Sequence, residues 1–227
     1  MSKRETQGFD ISKKSAAVIG CGGLGCNVSV HLAGAGAGTL FVCDYDTVAE
    51  DNLNRQFVYT SSDIGESKAA VMSEFLRNYA PDGKIIPISK KIECGDDLSF
   101  AKECDIIILA VDNNETRKLA NEFCRENDIP LVSGGISGFY GNGYLYIPGK
   151  TPCLECAGLL TENYCGGNVS STAGVIGALS AELAIKYLTG DYSPAGRLFV
   201  YDDCEMQSLK IKASCECGCL REENDNG

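Results

Sequence analysis

A glycine-rich turn follows the first apolar segment of the chain, and its residue types suit the binding of phosphate. The turn reads GCGGLG over residues 20–25, directly after the apolar residues 16–19. Glycine lets the backbone turn tightly and approach a phosphate, and the N-terminus of a following helix offers unpaired N–H groups. A second apolar run ends at Asp44, whose carboxylate can accept a hydrogen bond from a ribose hydroxyl. This order of groups predicts a nucleotide site.

Polar side chains beyond the second apolar run extend this chemistry to anions and metal ions. Residues 51–57 read DNLNRQF, and residues 65–68 read GESK and begin a helix, so that Lys68 lies near its start. A cation is unfavourable there because of the helix dipole, which suits a lysine that reaches for a phosphate. A third apolar run, 105–111, ends at Asp112, where a carboxylate could hold Mg²⁺. The ordinary alternatives are a solvated turn for segment 51–57, a surface position for Lys68 and a helix N-cap for Asp112.

Two groups of cysteines have spacings that suit metal ligands. The chain has thirteen cysteines, among which Cys153 and Cys156 form a CxxC pair and Cys215, Cys217 and Cys219 follow near the C-terminus. Because no export signal is visible, free thiols and metal ligands are expected rather than disulfides. A CxxC alone could be a redox pair, but two thiolates from each group would complete a Cys₄ zinc site. We therefore expect a zinc knuckle that ties the tail to the body of the domain.

Nucleophilic and acid–base side chains are few. The only histidine, His31, lies inside the first predicted helix without a nucleophile spaced around it, which favours a packing or surface role. Cys165 stands beside two glycines in the polar segment 162–172, where a thiol is accessible. The sequence therefore has little means of histidine-based catalysis.

The elements that must position these groups alternate between strand and helix. Continuous apolar runs predict buried parallel strands, and longer periodic segments predict helices. Residues 134–143 carry five glycines and are predicted to form a loop that passes close to a ligand or partner. The expected strands are 15–20, 39–44, 84–92, 105–111, 130–133, 144–148, 197–201 and 209–212, and the expected helices are 24–34, 65–79, 115–126 and 173–188.

This alternation predicts an α/β fold. We expect a Rossmann-like, mostly parallel sheet with helices on both faces, antiparallel C-terminal strands and the zinc knuckle. Residues 1–220 are predicted to form a single domain, and the acidic residues 221–227 a disordered tail.

The net charge of the chain argues against some classes of binding partner. The formal net charge is −11 and the isoelectric point is near 4.6, which argues against nucleic acid or an anionic membrane as the main partner. The sequence shows neither the apolar core of a signal peptide nor a run long enough to span a bilayer, so a cytoplasmic protein is expected.

Taken together, these motifs resemble the ThiF/MoeB/HesA family of adenylyltransferases, which act on ubiquitin-like sulfur carrier proteins and are relatives of the E1 ubiquitin-activating enzymes. The resemblance covers nearly the whole chain, and its motifs run in family order. The matching segments are GCGGLG (20–25), DYD (44–46), NLNRQ (52–56), GESK (65–68), VDN (111–113), PLVSGG (130–135), PCLEC (152–156) and GVIGALSAELAIKYL (174–188).

The resemblance implies an E1-like adenylation domain that uses ATP, Mg²⁺ and structural Zn²⁺. The carrier's C-terminal glycine carboxylate would attack the α-phosphate and release pyrophosphate, which prepares the carrier for thiocarboxylate formation. It also implies a carrier that ends in Gly-Gly, a homodimer and, in some members, a sulfurtransferase partner. The implied roles are phosphate cradling by Gly20, Gly22, Gly23 and Gly25, ribose binding by Asp44, phosphate contacts by Asn52, Arg55 and Lys68, Mg²⁺ binding by Asp112, and further cofactor contacts by Gln56 and Asn113.

The chain departs from the family pattern at two points, and one residue has two open roles. Family members usually begin with a longer helix whose arginine reaches the partner subunit's ATP, whereas here only Arg4 lies nearby. The family's second CxxC is replaced by three alternating cysteines. Cys165 matches the cysteine of the family's crossover loop, which links covalently to the carrier or sulfur donor in some members and is dispensable in others.

Three other functions remain to be weighed. A nicotinamide-dependent dehydrogenase would fit the first βαβ unit, but it leaves NLNRQ, GESK and the cysteine groups unexplained. A related enzyme could activate a non-protein carboxylate, and a module without turnover could bind a carrier. Arg55, Lys68 and Asp112 argue against the module because all three catalytic residue types are present.

Overall fold

The domain is built on an eight-stranded sheet. The structure, a computed structural model, describes residues 9–160, 167–212 and 217–220. The strand order is β3-β2-β1-β4-β5-β6-β7-β8. The strands are β1 (Ser15–Ile19), β2 (Thr39–Cys43), β3 (Lys84–Ile88), β4 (Ile106–Leu109), β5 (Leu131–Ser137), β6 (Tyr140–Tyr146), β7 (Arg197–Asp202) and β8 (Glu205–Lys210). The helices are α1 (Gly23–Gly34), α2 (Lys68–Tyr79), α3 (Asn114–Glu126) and α4 (Ser170–Leu188).

The sheet is parallel from β3 to β5 and antiparallel from β5 to β8. One hydrophobic cluster packs α1, α2 and α4 on one face, and a second packs α3, the 3₁₀ helix Gly95–Ala101 and the cysteine segments on the other. Every residue of β4 is buried, as expected for a strand covered on both faces. The predicted α/β class, helices on both faces and antiparallel C-terminal strands are confirmed.

The prediction of a glycine loop over residues 134–143 was wrong, because this stretch pairs as a hairpin of β5 and β6. Gly134, Gly141 and Gly143 allow close packing on the face that α1 and α4 cover. A Cβ on Gly134 would lie 2.8 Å from Cδ2 of Leu24, and a Cβ on Gly143 would lie 3.0 Å from Cδ2 of Leu179. A side chain at either position would force Leu24 of α1 or Leu179 of α4 to shift.

Some predicted strand ends also differ from the observed ones. The third strand stops at Ile88 rather than at residue 92, and the following segment leaves the sheet toward the 3₁₀ helix Gly95–Ala101. The last strand begins at Glu205, because Asp203 and Cys204 adopt positive φ angles of 43° and 72° and form a tight turn. A turn that depends on two such residues gave no signal in the sequence.

Residues 221–227 lie outside the described part of the chain, and the domain boundary at residue 220 stays a prediction. Among the described residues, none of the helices has the length and apolar character needed to cross a bilayer.

Candidate functional site

A cavity of about 840 Å³ lies beyond the carboxyl ends of the central parallel strands. Parallel α/β sheets bind ligands at this edge, where the connections to the helices diverge. The cavity brings together the glycine turn, segment 51–57, Lys68 and Asp112. These groups come from separate connections in the sequence, so the sheet edge is what assembles them.

The glycine turn forms one wall of the cavity. Gly20 has a φ of +100°, and a Cβ there would lie 2.5 Å from the carbonyl oxygen of Ala110. A Cβ on Gly25 would overlap the carbonyl oxygen of Gly20. The N-cap of α1 is Gly22, which supplies no side-chain cap to the first helical N–H groups. The turn thus exposes backbone donors to the cavity, as an anion site requires.

Asp44 ties the end of β2 to the glycine turn. Its Oδ2 accepts a hydrogen bond from the backbone N–H of Cys21 at 2.7 Å, and its Oδ1 accepts one from that of Asp46 at 2.9 Å. Burial raises the pKa of Asp44, while these two hydrogen bonds and nearby Lys68 act in the opposite direction. The carboxylate borders the cavity, where we predicted ribose binding.

Arg55 is held in place before any ligand arrives. Its Nη1 donates to the carbonyl oxygen of Asp51 and to Oδ1 of Asn54, both at 2.9 Å. Its aliphatic stem packs against the glycine turn, since a Cβ on Gly23 would lie 3.4 Å from Cγ of Arg55. The guanidinium therefore borders the cavity with its side chain partly ordered, which lowers the entropy lost when an anion binds.

Two buried amides stand beside Arg55. The Oδ1 of Asn52 accepts from the backbone N–H of Ala49 at 3.3 Å, and its Nδ2 donates to Oδ1 of Asp51 at 2.9 Å. Gln56 is only 3% exposed, and its Oε1 has no hydrogen-bond partner among the described residues. An unpartnered buried oxygen is costly, and the cavity that Gln56 lines is where a ligand could supply its donor.

Lys68 is a buried cation rather than a surface lysine. It is the first residue of α2, follows the N-cap Ser67 and is 6% exposed. Its Nζ forms an ion pair with Oδ2 of Asp46 at 3.2 Å, and the Asp46 side chain is 47% exposed. Lys68 thus presents its charge at the cavity from an unfavourable helical position, and its partner faces solvent.

Asp112 follows β4 and is exposed at the cavity. It is not the cap of α3, because Oδ1 of Asn113 accepts the N–H of Thr116 at 2.8 Å. The Asp112 carboxylate therefore does not cap the helix and remains a candidate ligand for a cation. Asn113 lines the same cavity, with its side-chain oxygen used in the cap.

Our sequence reasoning missed Arg117 in the first turn of α3. This side chain lines the cavity, and its Nη1 donates to Oγ of Ser133 at 2.7 Å. Its Nη2 donates to the carbonyl oxygens of Val111 at 2.8 Å and Gly134 at 2.7 Å. The available signal was a cation near the start of a helix directly after Asp112, the same feature that singled out Lys68.

The second candidate centre is a cluster of four cysteines. The Sγ atoms of Cys153, Cys156, Cys217 and Cys219 all lie within 4.8 Å of one another. The Sγ of Cys217 lies 3.3 Å from that of Cys156 and 3.7 Å from that of Cys153. A tetrahedral zinc with bonds of about 2.3 Å to sulfur would separate the sulfurs by about 3.8 Å. The donor set therefore fits zinc, and of the three C-terminal cysteines it includes Cys217 and Cys219.

Some predicted residues have no structural description. Arg4, Cys165 and Cys215 all lie outside the described residues. His31 is exposed on α1, which agrees with the predicted surface position, and it is not among the residues that line the cavity.

The sequence of the chain is similar to a known family and to several characterised proteins. The ThiF family model matches residues 4–219. The SAMP-activating enzyme E1 of Haloferax volcanii is 33% identical over 223 residues, covering 94% of this chain and 82% of that protein. The molybdopterin-synthase adenylyltransferase of Escherichia coli is 32% identical over 227 residues, covering 93% of this chain and 91% of that protein.

A solved structure agrees in fold. The crystal structure of Escherichia coli MccB with ATP superimposes with a TM-score of 0.83 at 25% identity, covering 93% of this chain and 68% of that one.

Proposed function

The chain belongs to the ThiF family and is an adenylyltransferase, and we propose that it adenylylates the C-terminal glycine carboxylate of a ubiquitin-like sulfur carrier protein. One observation carries the proposal: a single cavity holds an uncapped glycine turn, the cations Arg55 and Lys68, and the exposed carboxylate Asp112. These groups suit the binding of a triphosphate with its metal ion. The named relatives support a protein carrier as the acceptor.

The reaction needs charge stabilisation more than proton transfer. An oxygen of the carrier carboxylate forms a bond to the α-phosphorus, the bond from that phosphorus to the bridging oxygen breaks, and pyrophosphate leaves with the bond's electron pair. A carboxylic acid with a pKa near 3.5 is already ionised at neutral pH, so no general base is required. The work left to the protein is to bring two anions together and to offset the charge that builds on phosphate.

The cavity residues divide this work between them. The glycine turn and the N-terminus of α1 bind phosphate oxygens, and Asp44 binds the ribose. Arg55 and Lys68 offset the phosphate charge, with Asn52 and Gln56 beside them. Asp112, next to Asn113, would hold Mg²⁺, which when bound polarises the phosphate oxygens. The ordered side chain of Arg55 and the orphan oxygen of Gln56 support these roles.

The cysteine cluster has a structural role in this proposal. Cys153, Cys156, Cys217 and Cys219 would hold Zn²⁺ in a closed set of four thiolates, which leaves no open position for a substrate. Such a site joins the C-terminal segment to the segment between β6 and α4. Its contribution is therefore to stability, and it supplies no chemistry to the reaction.

Further partners belong to the same proposal. We expect a homodimer and, as a second partner, a sulfurtransferase that uses the acyl-adenylate. Light scattering on the purified protein would test the dimer, and a stable monomer at micromolar concentration would contradict it.

A pyrophosphate-exchange assay tests the function directly. The purified protein is incubated with ATP, Mg²⁺, labelled pyrophosphate and each of a panel of small carriers ending in Gly-Gly. Each carrier is paired with a matched variant lacking its last glycine. We expect exchange with at least one intact carrier and none with its shortened form.

Two arms of the same assay separate the alternatives. Exchange that depends on a short peptide or a free carboxylic acid, but on none of the carriers, would favour a non-protein acceptor. Binding of NAD in preference to ATP would favour the dehydrogenase. Either result would overturn the carrier proposal.

A further inference from the structure

We propose that Arg117 is a positioning residue that fastens the turn carrying Asp112 to the middle of β5. The inference rests on the adenylylation proposed above, in which Asp112 holds the metal ion. Arg117 reaches three acceptors, namely the carbonyl oxygens of Val111 and Gly134 and the hydroxyl of Ser133. One of these immediately precedes Asp112, and the other two belong to β5.

The location of these contacts explains what they do. The ladder between β4 and β5 has its last registered pair at Leu109 and Ser133. Beyond this pair the two chains diverge, because β4 leads to α3 while β5 continues into its hairpin with β6. The guanidinium spans the gap and joins Val111 to Gly134, so it continues the connection between the strands where backbone pairing has ended.

Asp112 needs such support because its own side chain has little. Among residues 9–160, 167–212 and 217–220, no hydrogen bond or ion pair holds the Asp112 carboxylate. Its position therefore depends on its backbone, which Arg117 fixes through the preceding carbonyl. A metal ligand must be held within a fraction of an ångström of its working position.

The placement of Arg117 is costly, which favours a specific use over simple packing. Its charge lies in the first turn of α3, where the helix dipole opposes a cation. Burial lowers the pKa of Arg117, while the nearby charge of Asp112 acts in the opposite direction. In the described part of the chain no carboxylate lies within ion-pair distance of it. Its three charge-assisted hydrogen bonds are what offset these costs.

Arginine suits this contact better than lysine does. A guanidinium is planar and offers donors in several fixed directions, whereas an ammonium is a single compact charge on a flexible stem. A lysine at this position would keep the charge but would not join the three acceptors. Arg117→Lys therefore separates the geometry of the contact from its charge.

The first experiment measures the position of the turn without any activity. Hydrogen–deuterium exchange is followed by mass spectrometry in the full chain for peptides covering residues 110–117, which include the hydrogen-bonded amides of Ala110, Thr116 and Arg117. We expect Arg117→Met and Arg117→Lys to speed exchange there by about tenfold, because one connection that closes the turn is lost. The matched control is Lys118→Met, which removes an exposed charge from the next residue of α3 and should change nothing.

A milder variant covers the case in which loss of the guanidinium unfolds the domain. Ser133→Ala removes one of the three acceptors and leaves the charge in place. We expect a smaller rise in exchange over residues 110–117, with an unchanged melting temperature. Unaltered exchange in both Arg117→Lys and Ser133→Ala would overturn the proposal.

The second experiment asks whether Arg117 acts through Asp112. Pyrophosphate exchange is measured against free Mg²⁺ for the wild type, Arg117→Lys, Asp112→Asn and the double variant. We expect Arg117→Lys to lower kcat by about thirtyfold and to raise the Mg²⁺ concentration at half-maximal rate, with KM for the carrier within about threefold. In the Asp112→Asn background the same change should cost less than about threefold.

The outcomes separate the two proposals. Full activity of Arg117→Lys, or effects of Arg117 and Asp112 that multiply, would overturn the role of Arg117 and leave adenylylation intact. If none of the carriers supported pyrophosphate exchange by the wild type, the proposed function would be overturned. In that case the hydrogen-exchange result still decides whether Arg117 fastens the turn.

Discussion

The cavity and the cysteine cluster are built on opposite principles, although one short segment joins them. The cavity gathers Arg55, Lys68 and Arg117 at a solvent-accessible edge, where their charges are only partly neutralised by the protein. In the cluster, Cys153 and Cys219 are buried and four sulfurs face one another. The cavity keeps interactions available for a ligand, whereas the cluster satisfies its groups within the chain. Substitutions in the two regions should therefore affect different measurements.

The segment that joins the two regions limits this separation. Residues 157–159 line the cavity and directly follow the CxxC pair. The residues just before this segment are held by two hydrogen bonds. Oδ1 of Asn121 accepts the N–H of Leu154 at 2.9 Å, and the hydroxyl of Tyr144 donates to the carbonyl oxygen of Pro152 at 2.7 Å. The cluster thus holds part of the cavity wall, so its loss should also reach the cavity, by a smaller amount.

The largest expected effect is on the rate, from Arg55→Ala. We expect exchange of pyrophosphate to fall by about a hundredfold or more, near 3 kcal/mol, because a preplaced donor to the charged transition state is lost. The melting temperature should stay within about 2 °C, since within the described part of the chain the hydrogen bonds of Arg55 go to local acceptors of its own turn. Arg197→Ala is the matched control, because Nη2 of Arg197 donates a hydrogen bond to Oγ of Ser208 on the β7–β8 hairpin, and neither residue lines the cavity. An undiminished rate for Arg55→Ala would remove Arg55 from the site.

The opposite pattern is expected for Cys153→Ser. Loss of one of four thiolates should cost about 2 kcal/mol or more of stability and lower the melting temperature by about 5 °C, measured by calorimetry. A zinc chelator should destabilise the wild type by a similar amount and the variant hardly at all. Cys94→Ser serves as the control, since Cys94 is exposed and outside the cluster. Equal chelator sensitivity of Cys153→Ser and the wild type would contradict a metal site here.

A smaller loss of stability is expected from Gly143→Ala. The new methyl group would meet Cδ2 of Leu179 at 3.0 Å on the face that α4 covers. We expect a cost of about 1 kcal/mol in chemical denaturation, because Leu179 must shift to admit it. Gly167→Ala, at a glycine with nothing within 4 Å of its added Cβ, is the comparison. Equal stabilities would show that the Leu179 side chain can shift without penalty.

The smallest effect is expected from Asp46→Asn, which tests whether the cavity cations are held for a ligand. This change removes the half-exposed carboxylate that pairs with Lys68. The pair is partly screened by water, so its loss should change stability little. We expect the Kd for ATP, measured by calorimetry, to fall by about threefold because less of the Lys68 charge is neutralised. Weaker ATP binding would instead assign Asp46 a direct role with the nucleotide.

Much of the nucleotide half of the cavity could be predicted from local sequence. The glycine turn, Asp44 and segment 51–57 are each short, and the chemistry of each depends on residues next to one another. Helix α2 was predicted from residue 65, and its observed start at Lys68 follows the Ser67 cap. Apart from the cysteines and Gly25, which packs against the carbonyl oxygen of Gly20, the predicted site residues that the structure describes line one cavity, as the alternation of strands and helices implied.

What the sequence determined by itself was therefore the α/β alternation, the phosphate-binding turn and the set of cysteines able to bind metal, because these follow from residue type and short spacing. Tertiary structure decided that residues 134–143 pair as strands, since the close approach of α1 and α4 accounts for the glycines at 134, 141 and 143. It also decided that Cys217 and Cys219 join the CxxC pair, and that Arg117 reaches across to β5. Each of these depends on distances between segments far apart in the chain, and such distances are fixed only when the helices pack on the sheet.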